Sequence, residues 1–147
     1  MAGTLVLSAA NCDLILYSAF KVISGCEAKI ANAIYFSTET LQLKKTIIRR
    51  ILKISNISNE TEIVERIINA AELAQSQRNE LSHALLQTKG DQLMRINARN
   101  QGQPGKALTQ KYLDGLWKIS SQAHVDALKA FQELCDSRKI SPSITHE

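Results

Sequence analysis

The sequence predicts an all-α fold, because its apolar residues recur at helical spacing and residues that break helices are scarce. Among 147 residues there are only 6 glycines and 2 prolines, and no convincing run of strict apolar alternation suggests a sheet. With 44% hydrophobic and 22% charged positions, the composition is that of one ordinary soluble domain. We therefore expect one domain over 1–147, with a helical core over about 8–138 and a loose tail over 139–147.

The first predicted helix runs from about Ser8 to Phe36, where apolar residues recur at helical spacing. Glu27 falls in the middle of the same stripe. Gly25 is an interior glycine, which costs roughly 1 kcal/mol against alanine, so we expect it to allow a close helix crossing rather than to act as a hinge. The recurring apolar positions are Leu16, Phe20, Ile23, Ile30 and Ile34.

The second predicted helix, from about Leu41 to Ile54, carries five cations and no acid. Two interpretations stay open for these cations: a solvated face opposite the apolar residues, or a face that contacts phosphates. Lys44 fits neither, because it projects into the apolar arc. The cations are Lys44, Lys45, Arg49, Arg50 and Lys53.

The third predicted helix begins near Glu60 and carries polar side chains on its inner side near its end. At about 100° per residue, Arg78 points where a leucine would be expected, and His83 lies one turn after Asn79 on a neighbouring face. Because a buried charge without a partner is costly, we expect Arg78 to form an ion pair with Glu27, with Lys44 as a third member. Arg78 shares its arc with Ile67, Ala71, Ala74, Leu81 and Leu85.

A basic loop is predicted from Thr88 to Leu108, where glycines and a proline interrupt the helical pattern. Loops of this length are usually functional or mobile, and Gln92–Asn97 could pair as a short strand. The loop cations are Lys89, Arg95, Arg99 and Lys106. Thr109 can cap a fourth helix that ends near Arg138. Its predicted core face comprises Leu113, Leu116, Trp117, Ser120, Ala127, Leu128, Phe131 and Leu134.

Charge and cysteine usage indicate a cytoplasmic protein with an anionic partner. The formal net charge of +4 and the pI of about 9.1 favour partners such as nucleic acid. Cys12, Cys26 and Cys135 have no metal-ligand spacing and are interpreted as buried thiols in a reducing compartment. Asp13 interrupts the first apolar run, which also lacks the basic start of a secretory signal, so we expect no membrane segment.

The motifs that would indicate metal, nucleotide-triphosphate or hydrolase-triad chemistry are absent from the sequence, and we expect no cofactor. What remains is a cation, an amide and an imidazole on one helix: Arg78, Asn79 and His83. This set suits phosphodiester chemistry without a metal. Histidine moves a proton near neutral pH, arginine holds phosphate oxygens in a fork, and asparagine orients a ligand.

The run Arg78-Asn79-Glu80-Leu81-Ser82-His83 resembles the signature of the HEPN superfamily (higher eukaryotes and prokaryotes nucleotide-binding). That signature is an Arg, a polar residue, three variable positions and a His. The resemblance extends loosely over 8–138 and implies a four-helix up-and-down bundle with the motif at the end of its third helix. Glu27 resembles the acid often found on the family's first helix, whereas Ala84 departs from the glycine that often follows the His.

The resemblance implies a metal-independent endoribonuclease, often a toxin or a defence or stress component, in which two chains bring their Arg and His groups into one cleft. Arg78 would stabilise phosphate charge, Asn79 would position it, and His83 would transfer protons during attack by a ribose 2′-hydroxyl. The loop cations would contact RNA, and an antitoxin or a nucleotidyltransferase is the implied kind of partner. Two alternatives stay open: an inactive RNA- or nucleotide-binding or dimeric regulatory module, and a purely structural Arg78.

Overall fold

In a computed structural model, the chain forms a helical bundle with a small antiparallel sheet between its last two helices. The structure describes residues 2–55, 58–82, 84–89, 92–97, 106–107 and 109–142. The helical class is confirmed for this part of the chain. The helices are α1 (Ala2–Ser24), α2 (Ala28–Ser37), α3 (Leu41–Ile54), α4 (Ser58–Ser82) and α5 (Gln110–Ser137), and the strands are β1 (Ala84–Lys89), β2 (Gln92–Asn97) and β3 (Lys106–Ala107).

The three long helices α1, α4 and α5 enclose the main core. Helices α1 and α5 run parallel, because the Ser8 hydroxyl donates to the Ser120 carbonyl (2.9 Å) and Arg138 Nη1 donates to the Val22 carbonyl (2.9 Å). Helix α4 runs antiparallel to both, with its first turns beside Arg138. The apolar stripes of the three helices meet in side chains that include Leu16, Phe20, Val64, Ile67, Ile68, Phe131 and Leu134.

A break at Gly25 divides the predicted first helix into α1 and α2. Gly25 has φ of +63°, a left-handed conformation that glycine adopts at little cost, and nothing lies within 4 Å of where a Cβ would be. The predictions of one helix over 8–36 and of a close crossing at Gly25 are therefore wrong. The break also resets the helical phase, so Ile30 is 51% exposed while Ala31 and Tyr35 are buried. Ile34, also predicted for the core, is exposed as well.

Helix α3 packs beside α1 and α4 through ion pairs, which neither interpretation of its cations anticipates. Lys45 is buried and pairs with Glu72 of α4, and Arg49 Nε lies 2.7 Å from Glu65 Oε1. Arg50 and Lys53 are exposed, as a solvated face requires. Carboxylates of the protein thus pair with the buried Lys45 and with Arg49 at the surface.

The start of α5 is confirmed, since the Thr109 hydroxyl accepts from the Tyr112 amide (3.2 Å) as an N-cap. Most of the predicted core face is confirmed too, including Leu116 and Phe131. Trp117 and Leu128 are corrections: they are 46% and 38% exposed. Both lie at the edge of the apolar stripe, about 90–110° around the helix from its centre, where no described neighbour covers them.

Part of the predicted basic loop forms a sheet in the order β1-β2-β3. Strand β2 covers Gln92–Asn97, the segment for which the sequence allowed a strand. Its register with β1 pairs Leu86 with Arg95, and its register with β3 pairs Arg95 with Lys106. The sheet therefore follows directly after the end of α4 that carries the Arg-Asn motif.

One described helix, α1, is long and apolar enough between Gly3 and Ser24 to cross a membrane by length and composition alone. Half of that window is buried inside the bundle. A core helix of a soluble protein passes the same test.

Candidate functional site

Arg78 lies on the wall of a cavity between α1, α3 and α4. Its side chain is half-buried in the penultimate turn of α4, and Nε and Nη2 donate to the Asn79 side-chain oxygen at 3.1 and 2.7 Å. The cavity has a volume of about 310 Å³. It is lined by Val6, Ala9, Ala10, Asp13, Glu39, Leu41, Lys44, Ala71, Gln75 and Arg78.

The Asn79 contact gives the Arg78 guanidinium a defined orientation. Two N–H groups of one planar fork bind one amide oxygen, so the plane of the guanidinium is held against the end of α4. A guanidinium held in this way suits recognition of a phosphate, because less side-chain freedom is lost when the anion binds. Two of the three predicted catalytic residues, Arg78 and Asn79, thus contact each other.

A second polar cluster lines the same cavity. Lys44 Nζ lies 3.0 Å from both oxygens of Asp13, and the Tyr35 hydroxyl donates to Asp13 Oδ1 (2.8 Å). Lys44 also lies over the Tyr35 ring, 4.2 Å from its centroid, in a cation–π contact. Burial, reinforced by the negative charge of Asp13, raises the pKa of Tyr35, so this hydroxyl remains a proton donor.

The predicted ion pair between Glu27 and Arg78 is wrong. Glu27 is exposed at the N-cap position of α2, and no ion pair joins it to Arg78. The apolar stripe of α1 ends with the helix at Ser24, so its extrapolation to residue 27 does not hold. Asp13 is the acid that sequence reasoning missed, and it pairs with Lys44. The available signal was Lys44 itself, a cation aimed into an apolar arc that needed an acidic partner.

Helix α5 fixes the motif from the other side. The Tyr112 hydroxyl donates to Glu80 Oε1 (3.0 Å) and ties the last turn of α4 to the start of α5. Arg78 therefore lies on the cavity wall while Glu80, two positions later, bonds to the neighbouring helix.

His83 lies outside the described residues, between the end of α4 at Ser82 and the start of β1 at Ala84. Three of the predicted RNA contacts fall on the sheet: Lys89 ends β1, Arg95 lies in β2 and Lys106 begins β3. Arg99 lies outside the described residues. The strand register therefore places two basic positions, Arg95 and Lys106, opposite each other just beyond the motif.

Within the described ranges, no group of three His, Cys, Asp or Glu side chains is close enough to hold a metal ion. Comparison with protein families, curated proteins and solved structures finds nothing that matches this chain. The geometry of the chain's own residues therefore carries the functional proposal.

Proposed function

We propose that this protein is a HEPN-type endoribonuclease that cleaves RNA without a metal ion, with a role as a toxin or as a defence or stress component. The observation that carries the proposal is the Arg78 guanidinium, fixed by Asn79 at the wall of a cavity. Arg78 precedes His83 by five positions and lies near the end of α4, which packs in the centre of the bundle. Cation, amide and imidazole at this spacing are what the family resemblance requires.

The reaction would be an internal phosphoryl transfer. His83 takes the proton of a ribose 2′-hydroxyl, and the 2′ oxygen bonds to the adjacent phosphorus as the bond to the 5′ oxygen of the next nucleotide breaks. A protonated imidazole gives its proton to that leaving oxygen. Arg78 stabilises the negative charge that builds on the phosphate, and Asn79 positions Arg78. The products are a 2′,3′-cyclic phosphate and a 5′-hydroxyl.

The proposal includes a two-fold symmetric homodimer. One imidazole per chain in the motif cannot be base and acid at once, and a closed two-fold pair is the commonest way to double a site. We place the interface along the C-terminal half of α4, so that the partner's His83 supplies the second proton carrier. Light scattering that shows a monomer at micromolar concentration, or a dimer formed through a remote surface, would contradict this.

The position of Glu27 favours a second candidate function. The acid that the family resemblance assigned to the first helix is exposed and does not pair with Arg78. A chain with an incomplete site could bind RNA or a nucleotide, or serve as a dimeric regulatory module, without cleaving anything. An antitoxin or a nucleotidyltransferase is the kind of partner that either function would have.

One experiment distinguishes the two candidate functions. Purified protein is incubated with a mixed RNA pool in EDTA, and the products are analysed for 2′,3′-cyclic phosphate ends and for retarded RNA. If the protein is a nuclease, the wild type should produce the cyclic ends and Arg78→Gln should not. Lys53→Ala, which removes an exposed cation of α3, is the control and should also produce them. Retarded RNA without cyclic ends would support an RNA-binding module, and intact, unretarded RNA would contradict both the nuclease and the RNA-binding module.

A further inference from the structure

Two polar side chains in the cavity beside Arg78 have no partner among the residues that the structure describes. Glu39, in the connection between α2 and α3, and Gln75, on α4, line the cavity, and neither makes a hydrogen bond or ion pair in the part of the chain that the structure describes. Asp13 differs, since Lys44 and Tyr35 already occupy its oxygens. The cavity thus presents one uncommitted carboxylate and one uncommitted amide.

The rest of the cavity wall suits a flat ring. Five of its lining residues are apolar and three of these are alanines, whose small side chains leave open faces: Val6, Ala9, Ala10, Leu41 and Ala71. A volume of about 310 Å³ lies at the lower end of the roughly 300–1,000 Å³ typical of small-molecule sites. A base that has left its stack is held by stacking between aromatic or apolar side chains and by hydrogen bonds to its Watson–Crick edge.

We propose that this cavity binds a guanine base next to the phosphate that Arg78 holds. The inference rests on the proposed ribonuclease function and specifies its substrate. The Glu39 carboxylate accepts hydrogen bonds from guanine N1–H and from the N2 amino group, and the Gln75 amide donates to O6. A carboxylate is a two-oxygen acceptor with no donor, so it matches two adjacent N–H groups.

The other bases do not offer this pair of donors. Adenine and cytosine each present one amino group beside a ring nitrogen that is an acceptor, which would face the carboxylate unfavourably. Uracil presents a single N–H between two carbonyl oxygens. Each of these three bases leaves at least one carboxylate oxygen of Glu39 without a donor. The site therefore binds them more weakly than guanine.

A binding experiment tests this independently of cleavage. Guanosine, inosine and adenosine 3′-monophosphates are titrated into the wild-type protein by calorimetry. Inosine differs from guanosine only by lacking the N2 amino group, and a hydrogen bond to a charged acceptor corresponds to roughly tenfold in affinity or more. We expect guanosine to bind at least that much more tightly than inosine or adenosine. Equal affinities, or no binding of guanosine, would overturn the proposal.

Glu39→Gln sharpens the test, because it replaces an acceptor oxygen with a donor amide. We expect it to remove the preference for guanosine over inosine while the affinity for adenosine monophosphate changes little. Since Glu39 is exposed and lies outside the helices, the fold should be retained. Glu62→Gln, which neutralises an exposed carboxylate near the start of α4, is the matched control and should keep the preference.

Mapping of RNA ends then separates this proposal from the ribonuclease on which it rests. Cleavage next to guanines that becomes indiscriminate in Glu39→Gln supports both. Cyclic ends next to all four bases alike, with no guanosine preference in binding, would retain the nuclease and overturn the guanine site. A guanosine preference without cyclic ends would retain the guanine site and overturn the nuclease.

Discussion

Both ends of the α1–α4–α5 bundle bring charges into the protein, but the charges at one end are enclosed by hydrogen bonds, whereas those at the other line a cavity. At the closed end, Arg138 donates to both oxygens of Glu60 and to the Val22 carbonyl, so one guanidinium joins three helical segments. The Ser137 hydroxyl donates to the same carboxylate (3.2 Å). At the open end, Asp13, Lys44 and Arg78 line a cavity.

The difference lies in what surrounds the charges rather than in their kind. The side chain of Glu60 is 11% exposed and its oxygens are satisfied by donors from α5 and its C-cap. Asp13 is 37% exposed and borders a space that a ligand can fill. Buried ion pairs stabilise a fold only when their hydrogen bonds are complete, whereas side chains that line a cavity can also contact a ligand. We infer that the closed end maintains the fold and that the open end carries the function.

The largest expected effect is on the proposed RNA cleavage. His83→Ala should lower the rate about 10²- to 10⁴-fold, because the general base and acid are lost together. RNA affinity and the free energy of unfolding should change little, whereas Arg78→Ala should reduce both activity and stability. Cleavage is measured on a mixed RNA pool without divalent metal.

His124→Ala is the matched control, since it removes the half-exposed imidazole of α5. It should leave the rate unchanged. Equal cleavage by the wild type and His83→Ala would mean that another residue, or a contaminant, is responsible for the activity.

The second effect is on stability at the closed end. Glu60→Ala should lower the free energy of unfolding by about 3 kcal/mol, because it leaves the Arg138 guanidinium partly buried without its carboxylate. Lys44→Ala should cost only about 1 kcal/mol, since Asp13 keeps access to water. Urea unfolding of both variants measures the difference. A larger loss for Lys44→Ala than for Glu60→Ala would reverse the assignment of the two ends.

The third effect concerns the turn that leads away from the closed end. Gly25→Ala should destabilise the protein by about 1 kcal/mol through backbone strain alone, because its φ is +63° and no atom would contact the added methyl group. Gly115→Ala, at an uncrowded site inside α5, should instead stabilise by up to about 1 kcal/mol. Thermal unfolding of the two variants gives the comparison. A shift of the same sign for both would contradict the strain argument.

The sequence predicted most helical segments because apolar residues recur at helical spacing in long amphipathic helices. It could not place the break at Gly25, since one glycine inside a helix costs only about 1 kcal/mol and many helices tolerate it. Because the break was not predicted, Glu27 was expected in the core and was assigned to Arg78 as its ion-pair partner. The sequence predicted an acid beside Arg78 and Lys44 but named Glu27, because the identity of Asp13 as the partner of Lys44 depends on how α1, α2 and α3 meet.

The smallest effect tests whether burial, rather than ion pairing as such, distinguishes the closed end. Arg49 pairs with Glu65 on the surface, and its hydrogen bonds lower the pKa of Glu65 below the ordinary value of 4.5. A carboxyl whose pKa falls on folding contributes stability that is fully present above about pH 4.5 and is lost as the pH falls through the folded-state value. We therefore expect Glu65→Gln to lower the free energy of unfolding by about 0.5 kcal/mol at pH 7 and by less at pH 3. Urea unfolding of the wild type and the variant at both pH values measures this, and a difference that is as large at pH 3 as at pH 7 would show that Glu65 stabilises the protein by packing rather than by charge.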